Sequence, residues 1–171
     1  LKAVLHNQNR QQPRVRLCET GLRFVPAKDG LRQERMLAGV VSGTVNVELW
    51  SHIKKDIDFF DIKGNIERVV ALLGASDRVG YKSSAHPALH PGQTAELEVN
   101  GQSVGWIGAL HPNLLADLGL VGPVYLFEIC LEQLGEGRLP AFAELSRFPE
   151  VRRDIAVLCG RDVPAADILA S

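Results

Sequence analysis

The histidines His86, His90 and His111 are the side chains best suited to chemistry in this sequence. Zinc sites need His or Cys side chains that converge on one tetrahedral point. His86 and His90 are four residues apart, but each precedes a proline, which favours extended backbone over the helix that would bring the two rings together. We therefore predict no metal site. We expect these His-Pro turns to shape a loop or subunit interface, with the imidazoles bonded to the backbone.

Two further sets of residues resemble active-site chemistry only superficially. Ser83 and Ser84 lie close to His86, but the sequence lacks the Gly-x-Ser-x-Gly elbow that exposes a nucleophilic serine. Asp61 and Lys63 lie at the start of a predicted helix, where an acidic residue caps the helix and compensates its dipole. We predict no catalytic residue and no cofactor-binding residue in this chain.

A basic cluster surrounds an aromatic residue near the end of the chain. Arg147, Arg152 and Arg153 flank Phe148-Pro149. In an intact protein, such a cluster can contact phosphate and stack a nucleic-acid base. The alternative is structural, with Arg153 anchoring a strand and Arg147 pairing across a domain boundary. For this chain the structural interpretation is preferred, because most of an RNA-binding sheet would be missing.

Composition limits the class of protein. The 171 residues include 19 basic and 20 acidic side chains, a net charge of -1 that argues against a dedicated nucleic-acid clamp. No apolar run is long enough to span a membrane, and the start has no signal-peptide layout. Three cysteines, an odd number, suit reduced thiols in strands and a reducing cytoplasm. They are Cys18, Cys130 and Cys159.

The order of predicted elements indicates an antiparallel α+β sheet. Apolar residues on one face predict a helix over 58–73, with Asp58 as N-cap and Gly74 after its end. Asn100-Gly101 predicts a type I′ turn between strands 94–99 and 102–107. His111-Pro112 opens a short helix that ends near Gly119. Further strands are predicted at 14–19, 36–41, 124–130 and 152–158, a turn at 26–30, a connector at 135–143 and a last helix after 162–164.

Several phrases of the sequence, taken together and in this order, resemble the beta subunit of bacterial phenylalanyl-tRNA synthetase. They are His6-Asn7-Gln8-Asn9-Arg10, Glu19-Thr20-Gly21-Leu22-Arg23-Phe24, Phe60-Asp61-Ile62-Lys63-Gly64, His86-Pro87-Ala88-Leu89-His90-Pro91-Gly92, Gly108-Ala109-Leu110-His111-Pro112, Ser146-Arg147-Phe148-Pro149 and Arg153-Asp154-Ile155-Ala156. The resemblance implies that residues 1–139 form a degenerate copy of the class II synthetase core. It implies that 140–171 begin a ferredoxin-like domain that contacts the tRNA anticodon region.

The resemblance also implies partners and cofactors. The full enzyme of this family joins phenylalanine to its tRNA with ATP and magnesium, as a tetramer of two alpha and two beta chains, and the working active site lies in the alpha subunit. For this chain alone we expect no bound ATP, magnesium or other metal. Its expected role is to pack against the alpha subunit and support the domain that contacts the tRNA for phenylalanine.

Two departures from the class II pattern agree with a degenerate core. Class II cores bind ATP with an arginine two residues before a glutamate on a long strand. Here the glutamate is Glu19 and the residue two before it is Leu17, while Arg14 and Arg16 belong to the other face of the strand. Class II cores also have a glycine-rich strand that leads to an arginine at a helix start. The nearest string, Gly135-Glu136-Gly137-Arg138, is followed by Pro140 and is interpreted as a connector.

Two other functions remain as alternatives. One is a free-standing RNA-binding accessory protein, which would need a complete domain with excess positive charge. The other is a small metallohydrolase built on the histidines. Because the sequence starts without methionine and stops within a predicted helix, we expect a piece of a longer protein. Its strand at 152–158 would then lack neighbours, and we expect it to pair with a sheet edge.

Overall fold

The computed structural model describes residues 1–28, 30–47, 49–51, 53–135, 148–149 and 151–169. The chain divides into two compact units, Leu1–Pro140 and Ala141–Ser171, and each is described by itself. None of the described helices has the length and hydrophobicity needed to cross a membrane.

The first unit is built on an antiparallel sheet of six strands in its described residues. Its strands lie in the order β1-β2-β6-β5-β4-β3. The fold is α+β, as the order of sequence elements predicted. The elements are α1 (Lys2–Gln8), β1 (Val15–Ala27), β2 (Gly30–Ser42), α2 (Phe59–Leu72), β3 (Val79–Ser83), β4 (Leu89–Val99), β5 (Gln102–Leu110), α3 (Pro112–Asp117), β6 (Val124–Cys130) and a 3-10 turn (Glu132–Leu134).

Strands β1 and β2 form a hairpin much longer than the predicted strands at 14–19 and 36–41. They pair continuously from Val15 opposite Ser42 to Ala27 opposite Gly30, so the predicted turn at 26–30 shortens to the residues after Ala27. β6 pairs with β2 only from Met36 to Ser42, which leaves the far half of the hairpin without a third strand. The prediction failed there because both faces of that half are largely exposed, and polar and apolar residues do not alternate cleanly.

The hairpin of β4 and β5 confirms the predicted turn. Asn100 and Gly101 have φ of 52° and 76°, the left-handed conformations of a type I′ turn. β4 is longer than predicted and begins at Leu89. Leu97 pairs with Gly105 and Glu98 with Ser103, so Val104 is the extra residue of a β-bulge.

Helix α2 follows the predicted pattern closely. The Asp58 side chain accepts hydrogen bonds from the backbone N–H of Phe60 and Asp61, and the Asp61 carboxylate accepts one from the Asp58 N–H, which completes a capping box. Gly74, just after the end, has φ of 62°. Its buried residues are Ile62, Ile66 and Val70, and Phe59 and Leu73 are partly buried against the same cluster.

Two apolar clusters lie on opposite faces of this sheet. The cluster beneath α2 contains inward residues of the helix and alternate residues of β4, β5 and β6, including Ile62, Ile66, Leu97, Ile107 and Ile129. The cluster on the other face joins α1 and α3 to the sheet through Val4, Val15, Val40, Leu110, Leu120 and Val124. Because α1 and α3 cover only one end of that second face, its other end stays open.

The second unit corrects one prediction. Residues 151–160 have no strand assignment, so the strand expected at 152–158 is absent from the described chain. An isolated strand has no partner for its backbone groups, which explains the failure of a prediction based on alternation alone. The expected pairing of this segment with a sheet edge, on its own core or on a neighbouring chain, stays a prediction. The last helix is present as α4 (Ala165–Leu169).

The cysteines match the predictions only in part. All three thiols are free, as expected of reduced cysteines. Cys130 is buried in β6, whereas Cys18 in β1 is exposed. Cys159 is exposed and lies in no strand, so the prediction of half-buried thiols in strands holds for none of the three in full.

Candidate functional site: a groove on the open face of the sheet

The open face of the sheet carries a groove of about 620 Å³. Neighbouring strands place residues in rows across this face, because directly paired residues share a face. One row runs from Glu19 through Ala38 to Glu128 and Trp106, and the adjacent row from Leu17 through Val40 to Leu126. The groove thus has an apolar side, a small residue at its centre, and a carboxylate on each side of that residue.

The alternation of β1 decides which side chains reach the groove. Leu17 and Glu19 line it. Arg14 and Arg16 instead donate hydrogen bonds to the backbone carbonyl of Val45, at 3.3 and 3.1 Å. Partial burial, and then the neighbouring Arg14 charge, lower the pKa of Arg16. Arg14 and Arg16 therefore stay out of the groove, as the alternation predicted.

Arg23 is the cation nearest to the groove's carboxylates, and its donors are already in use. Its Nη1 donates to Glu128 at 2.8 Å, while Nε and Nη2 donate to Glu34 at 3.1 and 2.7 Å. Arg32 also binds Glu34. The hydrogen bond from Arg23 is the main cause that lowers the pKa of the buried Glu34 carboxyl. In the described part of the chain, Glu19 has no hydrogen bond or ion pair.

An aromatic wall closes one end of the groove. The rings of His86 and Trp106 lie 5.3 Å apart between centroids, with their planes inclined by 50°. Trp106 is the cross-strand neighbour of Glu128. Sequence reasoning missed Trp106 and Glu128, because their meeting depends on the register of β5 against β6, and no turn connects these two strands directly.

The three predicted histidines bond to the backbone, as expected. In each, Nδ1 accepts a hydrogen bond from the N–H two residues later: Ala88 to His86 at 3.2 Å, Gly92 to His90 at 3.0 Å, and Asn113 to His111 at 3.2 Å. The His111 N–H also donates to the Ala88 carbonyl at 2.9 Å, which joins two of the turns. An Nδ1 atom that accepts a hydrogen bond has no lone pair left to bind a metal.

No group of three His, Cys, Asp or Glu residues in the described ranges is placed to hold a metal ion. The absence of a bound metal stays a prediction for measurement. Ser83 lies in the edge strand β3, and the Ser84 N–H donates to the Thr94 carbonyl at 3.4 Å. The Nδ1 of His86 is occupied by its own turn, so this arrangement does not resemble a hydrolytic triad.

Asp61 and Lys63 have the roles expected at a helix start. Asp61 completes the capping box of α2, and Lys63 forms an ion pair with Glu67. The Lys63 ammonium also lies over the Tyr81 ring, 4.4 Å from its centroid. Burial raises the pKa of Tyr81 to about 12. These contacts stabilise the helix side of the sheet and lie on the face opposite to the groove.

The basic residues of the second unit are described only in part. Arg152 and Arg153 are exposed, as is Phe148. Arg147 lies outside the described residues, as do residues 136–138 of the glycine-arginine string. The predicted tRNA contact of these arginines therefore stays a prediction.

The first unit is therefore an α+β domain with one open sheet face. Two carboxylates and an aromatic wall line the groove on that face. Residues 1–131 match the family described as phenylalanyl tRNA synthetase beta chain CLM domain. The chain belongs to this family.

Three similar proteins share one name, phenylalanine–tRNA ligase beta subunit. The chain is 53% identical over 169 residues to the phenylalanine–tRNA ligase beta subunit of Pseudomonas fluorescens, covering 99% of this chain and 21% of that protein. It is 50% identical over 173 residues to that of Dickeya dadantii, covering 99% and 22%, and 46% identical over 168 residues to that of Hahella chejuensis, covering 98% and 21%. The chain spans about a fifth of the length of these curated relatives.

Proposed function

We propose that residues 1–139 are a non-catalytic scaffold and interface module of phenylalanine–tRNA ligase, derived from a class II synthetase core. The main support is Leu17, which lies in the groove two residues before Glu19, where class II cores have an arginine for the α-phosphate. A guanidinium donates in a fixed bidentate geometry, and an isobutyl group cannot replace it. The two arginines that precede Leu17, Arg14 and Arg16, instead donate hydrogen bonds to the Val45 carbonyl on the other face of the sheet.

The missing glycine-rich element gives a second support. The nearest match to that element is the string Gly135-Glu136-Gly137-Arg138, which we interpret as a connector because Pro140 follows it. Strand β6 leads into the turn Glu132–Leu134 just before this string, and neither the strand nor the turn contains an arginine.

Among the described residues, the groove offers no free guanidinium to the phosphates of ATP. Glu19 and Glu128 both line it, and the donors of Arg23 are held by Glu34 and Glu128. A polyphosphate placed there would meet carboxylates without a free guanidinium, which is unfavourable. ATP and magnesium therefore belong to the holoenzyme, and this chain is assigned no cofactor.

The partners follow from this role. The chain would pack against the alpha subunit in a cytoplasmic tetramer of two alpha and two beta chains that attaches phenylalanine to its tRNA. The His-Pro turns at His86, His90 and His111 suit an interface. Each ring accepts a hydrogen bond from a backbone N–H, and this bond fixes the shape of the turn. Residues 140–171 would begin the ferredoxin-like anticodon-binding domain, with Arg147, Arg152 and Arg153 near the tRNA.

Two measurements test this proposal together. The purified chain should give no ATP–pyrophosphate exchange above a mock preparation, with the tetrameric enzyme as positive control. The same chain, carrying an affinity tag, should retain the purified alpha subunit on a column, while an unrelated tagged domain should not. Exchange activity would contradict the non-catalytic assignment, and failure to retain the alpha subunit would contradict the interface assignment.

A further inference from the structure

The groove has the size of a small-molecule site. Its volume of about 620 Å³ lies within the range of roughly 300–1,000 Å³ that ligand pockets occupy. Leu17, Val40 and Leu126 form one continuous apolar side, built from three neighbouring strands. Such a surface suits a hydrocarbon or ring rather than a polar chain.

The carboxylates of the groove determine whether a positively or a negatively charged ligand is favoured. Glu19 and Glu128 flank Ala38 in one cross-strand row, so their Cα atoms are about 10 Å apart, twice the strand spacing. Ala38 leaves the space between the two carboxylates open. Arg23 has already committed its Nη1 to Glu128 and its other donors to Glu34. Glu19 is without a cation in the described structure, and the groove therefore favours a cation over an anion.

The aromatic wall closes the groove beyond Glu128. Trp106 follows Glu128 in the same row, so its Cα is about 10 Å from that of Ala38, two strand spacings away. His86 packs against Trp106. A ligand with its charge over Ala38 would change the surroundings of the Trp106 indole, because that ring lines the same groove.

We propose that this groove binds a small organic ammonium ion, with its charge between Glu19 and Glu128 over Ala38 and its apolar body against Leu17, Val40 and Leu126. This site goes beyond the proposed scaffold function and does not depend on it. The chain needs no partner or nucleotide for this binding.

Benzylamine is a suitable probe, with benzyl alcohol and benzoate as neutral and anionic analogues of the same ring. Titration into the isotope-labelled chain should shift the indole N–H signal of Trp106 saturably at millimolar benzylamine. Trp50, which is fully exposed in a loop, provides an internal reference that should not move. Benzyl alcohol should bind more weakly than benzylamine, and benzoate should bind least. No saturable shift of Trp106, or equal binding of the amine and the alcohol, would overturn the proposal.

Matched variants separate the charge from the fold. Glu19→Gln should weaken benzylamine binding about fivefold, the effect of losing one partly exposed ion pair. Glu67→Gln removes the same charge on α2, across the sheet, and should leave binding unchanged. Equal affinities for the two variants would contradict the assigned role of Glu19. Because Glu19 is exposed, its replacement should preserve the fold, and an unchanged amide spectrum outside the groove would verify this.

Discussion

At the scale of single residues, the His-Pro turns show how a side chain can take the place of a backbone acceptor. Proline after each histidine keeps the histidine extended, as at His111 with φ of -59° and ψ of 135°. The ring can then fold forward and accept the N–H two residues later. An Asp or Asn side chain does the same at many helix starts. His111 therefore acts first as the cap of α3.

This interpretation predicts a difference between two replacements of His111. His111→Ala should lower the free energy of unfolding by about 1 kcal/mol, because the first turn of α3 loses its side-chain acceptor. His111→Asn should retain most of the stability, since its amide oxygen can accept the Asn113 N–H in place of Nδ1. Urea titration followed by circular dichroism measures both. Equal losses in the two variants would show that His111 stabilises the chain by another contact.

The contacts of a side chain were predictable from the sequence where they involve residues close to it in the chain. The proline rule was enough to predict extended histidines bonded to the backbone, and the spacing of Asp58 and Asp61 indicated the helix start. The contact of His86 with Trp106 was not predictable, because it joins a loop to a strand twenty residues later through the tertiary fold. The same applies to Arg23, whose acid partners lie on two other strands.

At the scale of elements, the sequence predicts best those strands that have one buried face. The β4–β5 hairpin and β6 combine alternating apolar residues with clear turn signals, and both were located. The β1–β2 hairpin was predicted only at its base, where β6 and the apolar clusters bury one side. Its far half exposes Leu22, Phe24 and Leu31 on one face and places the Arg23–Glu34 ion pair on the other.

Strand β5 can approach β6 closely only with glycine at position 105. A Cβ added there would lie 2.2 Å from the Glu128 carbonyl oxygen and 2.8 Å from the Ile129 Cα. Both are backbone atoms that cannot rotate away. We expect Gly105→Ala to lower the free energy of unfolding by about 1–3 kcal/mol, as overpacking usually does.

Gly80→Ala is the matched control for this prediction. Gly80 also lies in a strand, but a Cβ there meets nothing within 4 Å. Its replacement should leave the free energy of unfolding within about 0.5 kcal/mol of the parent chain, as is usual for open surface positions. Urea titration of both variants decides the matter. A Gly105→Ala variant as stable as the control would mean that the two strands can separate without loss.

At the scale of the whole molecule, the apolar residues divide unevenly along the chain. Every member of the two clusters in the described structure lies between Val4 and Leu134. The described apolar residues after 147, among them Ile155 and Val157, are mostly exposed. Alternation of side chains over 152–158 resembles that of a strand, yet a strand also needs a neighbour, which a local pattern cannot reveal. This is why composition and pattern predicted the first unit better than the second.

The division of the chain near Pro140 gives the last prediction. A chain that ends at residue 140 keeps every member of both clusters, because none of them lies beyond Leu134. We expect it to unfold in one cooperative transition, with a free energy of unfolding within about 0.5 kcal/mol of the 171-residue chain. Urea titration with circular dichroism compares the two.

Leu134→Ala in the shorter chain shows whether the assay detects a loss from the core. Leu134 is completely buried in the cluster beneath α2. Its truncation should lower the free energy of unfolding by about 2–5 kcal/mol, the usual effect of a buried leucine cut to alanine. If the 140-residue chain itself lost that much or failed to fold, residues 141–171 would be part of the folding unit. The proposed domain division would then be wrong, whatever the role of the groove.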